Sequence, residues 1–215
     1  MRSQAFQPCT KSDDSEPAKV YGRRNTPVQP RLALALILIM DSRPQASRTF
    51  TLQEVAATSP ESALSSAREL LLEYGRFVVA QPGAAQFCFG MLEKEAARLP
   101  QSYLEQGGGC LMACVDENPA GFVAWRNLPA GVEADAWELK RLWVRPEARG
   151  LALGRALTQA VVDRAVASGR KAIYLDTAPA SMGAAHRLYL ELGFEPCPPY
   201  NDNPVEGLAW LRKPL

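Results

Sequence analysis

Trp137-Glu138-Leu139-Lys140-Arg141-Leu142-Trp143-Val144-Arg145-Pro146-Glu147-Ala148-Arg149-Gly150-Leu151-Ala152-Leu153-Gly154-Arg155 is the stretch whose reading decides the fold. The run Leu139 to Val144 reads as a strand, Arg149 to Arg155 as a glycine-bearing turn, and the amphipathic segment from about Leu151 to Ser168 as a helix. That succession makes an anion site. The first backbone N–H groups of a helix have no partner within it, and the aligned peptide dipoles add partial positive charge there.

Working outward, the spacing predicts further elements on both sides. Upstream, Arg48 to Val55 alternates as a first strand. Ser59-Pro60-Glu61 opens a helix with Ser59 as N-cap and Pro60 as its first residue, and Gly75 is the expected stop. A second helix is expected around Phe87 to Arg98, closed by Pro100. Next come a hairpin, Cys110 to Val115 and Gly121 to Trp125, turning at Asp116-Glu117-Asn118-Pro119, and a strand from Ala136 to Val144. Downstream of the turn, Ala172 to Asp176 is almost wholly apolar, as a central parallel strand should be. Ser181 to Leu192 is the last helix, followed by strands near Phe194 and near Leu208 to Leu211. Antiparallel strands first and a parallel crossover afterwards imply an α/β fold: a mixed, mostly antiparallel central sheet with helices on both faces.

The first 46 residues are set apart from this pattern. Pro8, Pro17, Pro27 and Pro30 interrupt a polar segment, and the apolar run Leu32 to Met40 is far short of the roughly 20 residues that span a bilayer. Basic residues ahead of a short apolar run also fit a signal-peptide core, although no small-residue cleavage site follows. Residues 1–46 are therefore expected to be a disordered or non-native extension, with Met40 as a candidate true start, and 47–215 to be the folded domain.

Composition narrows the partners. Lys+Arg 24 against Asp+Glu 23 offers nothing to a nucleic acid, and no membrane association is expected. Five scattered cysteines and one histidine, His186, argue against a metal site and for reduced thiols in a cytoplasmic setting. A P-loop and a dinucleotide-binding glycine motif are both missing.

The run Arg149-Gly150-Leu151-Ala152-Leu153-Gly154 resembles the acetyl-CoA-binding signature Gln/Arg-x-x-Gly-x-Gly/Ala of the GCN5-related N-acetyltransferase superfamily. Ala185-His186-Arg187-Leu188-Tyr189-Leu190-Glu191-Leu192-Gly193-Phe194 is similar to that family's Ala-x3-Tyr-x3-Gly-Phe run. The resemblance covers about Arg48 to Leu215. It implies the acyl-CoA N-acyltransferase fold and direct transfer of acetyl from acetyl-CoA, as co-substrate, to a primary amine of a small molecule or peptide. No metal is required, and a homodimer is allowed.

By position, the resemblance assigns the backbone of Leu142, Trp143 and Val144 to the pantetheine arm and thioester carbonyl. It assigns the amides of Arg149, Gly150, Leu151, Ala152, Leu153, Gly154 and Arg155 to the pyrophosphate, and Tyr189 to protonation of the departing thiolate. Ala152 stands where the signature has its first glycine; as a helical alanine it should leave the turn intact and be felt in cofactor affinity.

Glu138 has the same parity as Leu142 and Val144, so it is expected on the same face, either as a base for the acceptor amine, directly or through water, or as a solvated strand carboxylate. Asp176, at the end of its strand, is either a ligand contact or a turn residue. Tyr200, Asp202 and Asn203 border a prospective acceptor pocket, with Asp202 as an ammonium attractor, and His186 is expected to be structural. A non-catalytic acyl-CoA-binding module is the competing class.

Overall fold

The computed structural model describes residues 49–81 and 89–215. The expected extension, residues 1–46, lies outside them, as do the first residues of the second helix. Seven strands form one sheet: β1 (Phe50–Glu54), β2 (Gly109–Val115), β3 (Asn118–Asn127), β4 (Ala136–Val144), β5 (Ala172–Thr177), β6 (Glu195–Pro196) and β7 (Ala209–Pro214), in the order β1-β2-β3-β4-β5-β7-β6. Every pairing is antiparallel except β4 with β5. The mixed, mostly antiparallel sheet expected from the sequence is thus present.

Helices α1 (Glu61–Val79), α2 (Phe89–Ala97) and α3 (Gln101–Leu104) pack on one face, and α4 (Leu153–Ala167) and α5 (Gly183–Glu191) on the other. The α4 side buries Leu111, Val123, Leu139, Leu157, Val161, Ile173 and Leu175, and the α1 side Leu70, Leu71, Leu92, Met112 and Phe122. Each such side chain contributes about 1.5–3 kcal/mol by leaving water. Cys110 and Cys114 share the α1 face, as their spacing predicts, and burial, assisted by Glu54, pushes the Cys110 thiol up to about 12.

Three helix boundaries differ from expectation. Pro60, not Ser59, is the N-cap of α1, because the Ser59 hydroxyl accepts from the Ala56 amide at 3.0 Å and is used in the preceding turn. Gly75 does not stop α1: it is buried in the helix, and packing outweighs its poor propensity of about 1 kcal/mol. Pro100 ends α2 but starts α3, at whose N-cap its missing N–H costs nothing.

Two irregularities of β4 place the site. Ala124 faces Lys140 while Phe122 faces Trp143, so Arg141 and Leu142 oppose the single residue Val123. This is a β-bulge, with Arg141 at φ 61°. In addition, β4 pairs with β5 only from Ala136 to Glu138. Beyond that point β4 follows β3 as far as Val144 while β5 follows β7 as far as Thr177, so the sheet opens between them.

Candidate active site

The opening between β4 and β5 leads into a groove of about 500 Å³ on the far side of β4. Of the residues expected to hold the cofactor, Leu142, Trp143, Val144, Arg149, Gly150, Ala152, Leu153, Gly154 and Arg155 all line it. Leu151 does not; its side chain packs against the core below.

The turn is built differently from a helix starting at Leu151. Gly150 and Ala152 lie in the left-handed region, at φ 83° and 59°, and α4 begins only at Leu153. Ala152 is therefore not a helical alanine. It occupies a conformation that costs an L-residue about 1–2 kcal/mol and a glycine nothing, so its preference there is the reverse of that expected. Gly154 serves close packing: a Cβ on it would stand 3.3 Å from Leu188.

Among the described residues, none of the amides from Gly150 to Arg155 donates to a protein group, and α4 has no side-chain cap. These donors suit an anion. Arg149 adds positive charge, its guanidinium 5.5 Å over Trp143 and its Nε donating to the Val144 carbonyl at 3.3 Å. Arg155 is drawn instead to Glu191.

The base of the groove is anchored from α1. Glu73 accepts from Trp143 Nε1 at 3.0 Å and from both Nε (3.1 Å) and Nη2 (2.7 Å) of Arg145. Those bonds outweigh burial and hold the Glu73 carboxyl below its ordinary value. No sequence spacing connects Glu73 to Arg145, so this link was not foreseen.

A smaller cavity, about 150 Å³, adjoins the groove through Tyr74, Leu142, Ser181, Met182 and Ala185. Tyr189 lines it. Its ring packs edge-on against Phe194 at 5.6 Å, and its hydroxyl makes no hydrogen bond to any described residue. Burial, with smaller contributions from Tyr74 and Asp176, raises its pKa far above the usual phenol value, so the group stays protonated. The Thr177 hydroxyl, in the same cavity, is buried without a partner.

Glu138 is not on the face where alternation predicts it. The bulge at Arg141 inverts the parity of the strand: Leu139 before it and Leu142 and Val144 after it share the α4 face, while Glu138 and Trp143 do not. Glu138 is fully buried and lines neither the groove nor this cavity. Its oxygens accept from Arg126 Nε (2.7 Å), Lys140 Nζ (3.0 Å), Tyr200 Oη (3.1 Å) and Asn201 Nδ2 (3.5 Å).

Asp176 does line the smaller cavity. Its Oδ2 accepts from Asn201 at 2.9 Å and Asn203 at 3.1 Å, while Oδ1 stands 3.8 Å from Lys140 Nζ. Burial opposes its ionisation, but Lys140 and the two amides together hold it below the ordinary carboxylate value. Asn203 thus lies where the loop was expected to border a pocket, whereas Tyr200 lines neither cavity and donates to Glu138, Asp202 is exposed and His186 lines neither cavity. Arg126, Lys140 and Asn201 carried no sequence signal, since only the sheet register brings them together.

A mixed sheet parted between β4 and β5, with helices on both faces, is the acyl-CoA N-acyltransferase fold. The sequence profile of the Acetyltransferase (GNAT) family matches residues 73–194, more than half the chain, and the chain belongs to that family. It is 39% identical over 75 residues to an uncharacterized N-acetyltransferase of Schizosaccharomyces pombe, covering 35% of this chain and 45% of that protein. It is 36% identical over 104 residues to human N-acetylaspartate synthetase, covering 48% of this chain and 33% of that protein. The chain spans less than half the length of either relative. The PaiA N-acetyltransferase of Thermoplasma acidophilum, solved in complex with coenzyme A, superposes with a TM-score of 0.60 at 16% identity, over 78% of this chain and 99% of that one. None of the helices among the described residues is long and apolar enough to cross a membrane.

Proposed function

We propose that the chain is an N-acetyltransferase that moves acetyl from acetyl-CoA to the primary amine of an acceptor by direct attack, without a covalent enzyme intermediate. The observation that carries this reading is a continuity. The unbonded amides of Gly150 to Arg155 and the parted edge of β4 border one groove, which meets the cavity holding the free Tyr189 hydroxyl. The human relative is named for making an N-acetylated amino acid, which supports an amine acceptor.

Acetyl-CoA supplies the activated acyl group. The turn amides receive its pyrophosphate and the β4 backbone from Leu142 to Val144 receives the pantetheine arm. That backbone lacks β5 as a partner and keeps hydrogen-bonding capacity on this side. Tyr189 Oη holds a proton at all working pH values and delivers it to the departing sulfur, so that the leaving group is a thiol. Asp176 Oδ1, held below its ordinary pKa and so ionised, receives the acceptor ammonium, which loses one proton to water before attack; the second nitrogen proton, released as the C–N bond forms and the C–S bond breaks, returns to Tyr189 Oη.

Glu138 is a positioning residue in this scheme, fixing Arg126, Lys140 and the 200–203 loop. A cytoplasmic setting is supported by the free thiols Cys110, Cys114 and Cys197.

The test is thiol release from acetyl-CoA across an amine library. Tyr189→Phe should lower kcat by about 100-fold or more, the usual worth of a positioned acid, with melting temperature and coenzyme A affinity unchanged because the hydroxyl has no protein partner. An unchanged kcat sinks the acid role. Coenzyme A binding with no turnover on any amine makes the chain a non-catalytic acyl-CoA-binding module.

A further inference from the structure

A third cavity, about 710 Å³, lies between α2, α3, the β3–β4 surface and the C-terminal loop. It shares Lys140, Arg141, Asn203 and Val205 with the cavity of Tyr189 and Asp176, so one molecule can occupy both. The charge along this passage is ordered. Asp176 stands at the inner end, Lys140 and Arg126 form the wall just beyond it, and Arg141 is paired there at 3.0 Å with Glu95, which also lines the cavity.

The cations face the cavity while the carboxylate serving two of them does not. Arg126 and Lys140 line it with side chains 31% and 15% exposed, yet both are held by Glu138, which is 0% exposed and absent from the lining. One buried carboxylate thus serves two cations. Arg126 spends Nε on Glu138 and Nη1 on Gln106 at 3.0 Å, leaving Nη2 with no partner among the described residues. Lys140 Nζ bonds Glu138 Oε1 and stands between it and Asp176. A wall of this kind attracts an anion, and a guanidinium edge beside an ammonium suits a carboxylate.

We infer that the acceptor is an amino acid: an amine bearing a free carboxylate, with its nitrogen at Asp176 Oδ1 and its carboxylate against Arg126 and Lys140. This rests on the transferase reading above and specifies its acceptor. The reacting nitrogen lies beside Tyr189, the carboxylate lies one side chain farther out, and the 710 Å³ space receives the rest of the molecule.

The experiment compares kcat/KM, by thiol release, for L-aspartate, glycine and β-alanine with glycinamide and ethylamine, using the full chain and acetyl-CoA. At least one acid is expected to exceed the carboxylate-free amines by about 100-fold, the worth of charge-assisted contacts from a guanidinium and an ammonium. Arg126→Gln should raise KM for that acid by about tenfold or more with little change in kcat, and Arg126→Lys should restore part of it. Glycinamide or ethylamine used as well as the acids overturns the inference, whatever the variants do, and leaves acetyl transfer standing. If no amine of either kind is acetylated while calorimetry registers acetyl-CoA binding, the inference falls together with the transferase reading.

Discussion

Ala152→Gly tests the anion turn at its most unusual point. Ala152 sits at φ 59°, ψ 16°, immediately before α4, and lines the groove. The left-handed conformation costs an alanine about 1–2 kcal/mol that glycine does not incur. Against that gain, glycine loses about 0.4–1 kcal/mol more on folding, through the greater freedom of its unfolded chain. The net expectation is a stability gain of about 0–1.5 kcal/mol, or a rise in Tm of about 0–6 °C for a domain of this size.

Gly150→Ala calibrates the argument. Its φ is 83° and a Cβ there would meet no heavy atom within 4 Å, so the loss measured is backbone strain of about 1–2 kcal/mol less the roughly 0.4–1 kcal/mol that alanine recovers through its stiffer unfolded chain, a net of about 0–1.5 kcal/mol. Urea unfolding followed by tryptophan fluorescence reads both variants, and calorimetric titration with coenzyme A reads the site. Ala152→Gly should bind coenzyme A as tightly as the wild type or more so, since the same amides remain and a groove-lining residue loses its methyl group. A destabilisation by Ala152→Gly of more than about 1 kcal/mol would refute the strain argument. Weaker coenzyme A binding by a normally folded variant would refute the assignment of these amides to the pyrophosphate.

Two further outcomes follow from the ion pairs. Glu133 accepts from Arg212 Nε and Nη2, both at 2.8 Å, and from Tyr174 Oη at 2.5 Å, and these bonds lower its pKa from 4.5 to about 2. A depressed carboxyl pKa stabilises above the unfolded value and is lost as pH falls toward the folded one. Glu133→Gln should therefore cost about 1–2 kcal/mol at pH 7, allowing for partial exposure, and flatten the acid limb between pH 4.5 and 2 in thermal melts. An acid limb identical to the wild type refutes this. Glu138→Gln leaves Arg126 and Lys140 without their buried counter-charge and should cost about 3–5 kcal/mol in urea unfolding. A variant of near-wild-type stability whose kcat alone collapses would make Glu138 a base rather than a positioning residue.

The cofactor half of the site was legible in the sequence because it is local. Val144, Arg149, Gly150 and Leu153 are neighbours in the chain, and a strand running through a glycine turn into a helix must leave its first amides unbonded wherever that unit sits. Element order was legible for the same reason: alternation and helical spacing are written within each segment, and they sufficed for the mixed sheet.

The acceptor half was not legible, because it is made by register. Glu138 has the parity of Leu142 in the sequence but opposes it in the sheet, since the bulge at Arg141 adds one residue without any glycine or proline to announce it. Arg126, Lys140, Asp176 and Asn201 lie on three strands and a loop, and converge only when β4 parts from β5 after Glu138. The sequence by itself determined that a glycine-bearing turn with unbonded amides would stand before α4. Tertiary structure alone decided which charges line the proposed acceptor cavity, because side-chain direction depends on strand pairing and on one extra residue in it.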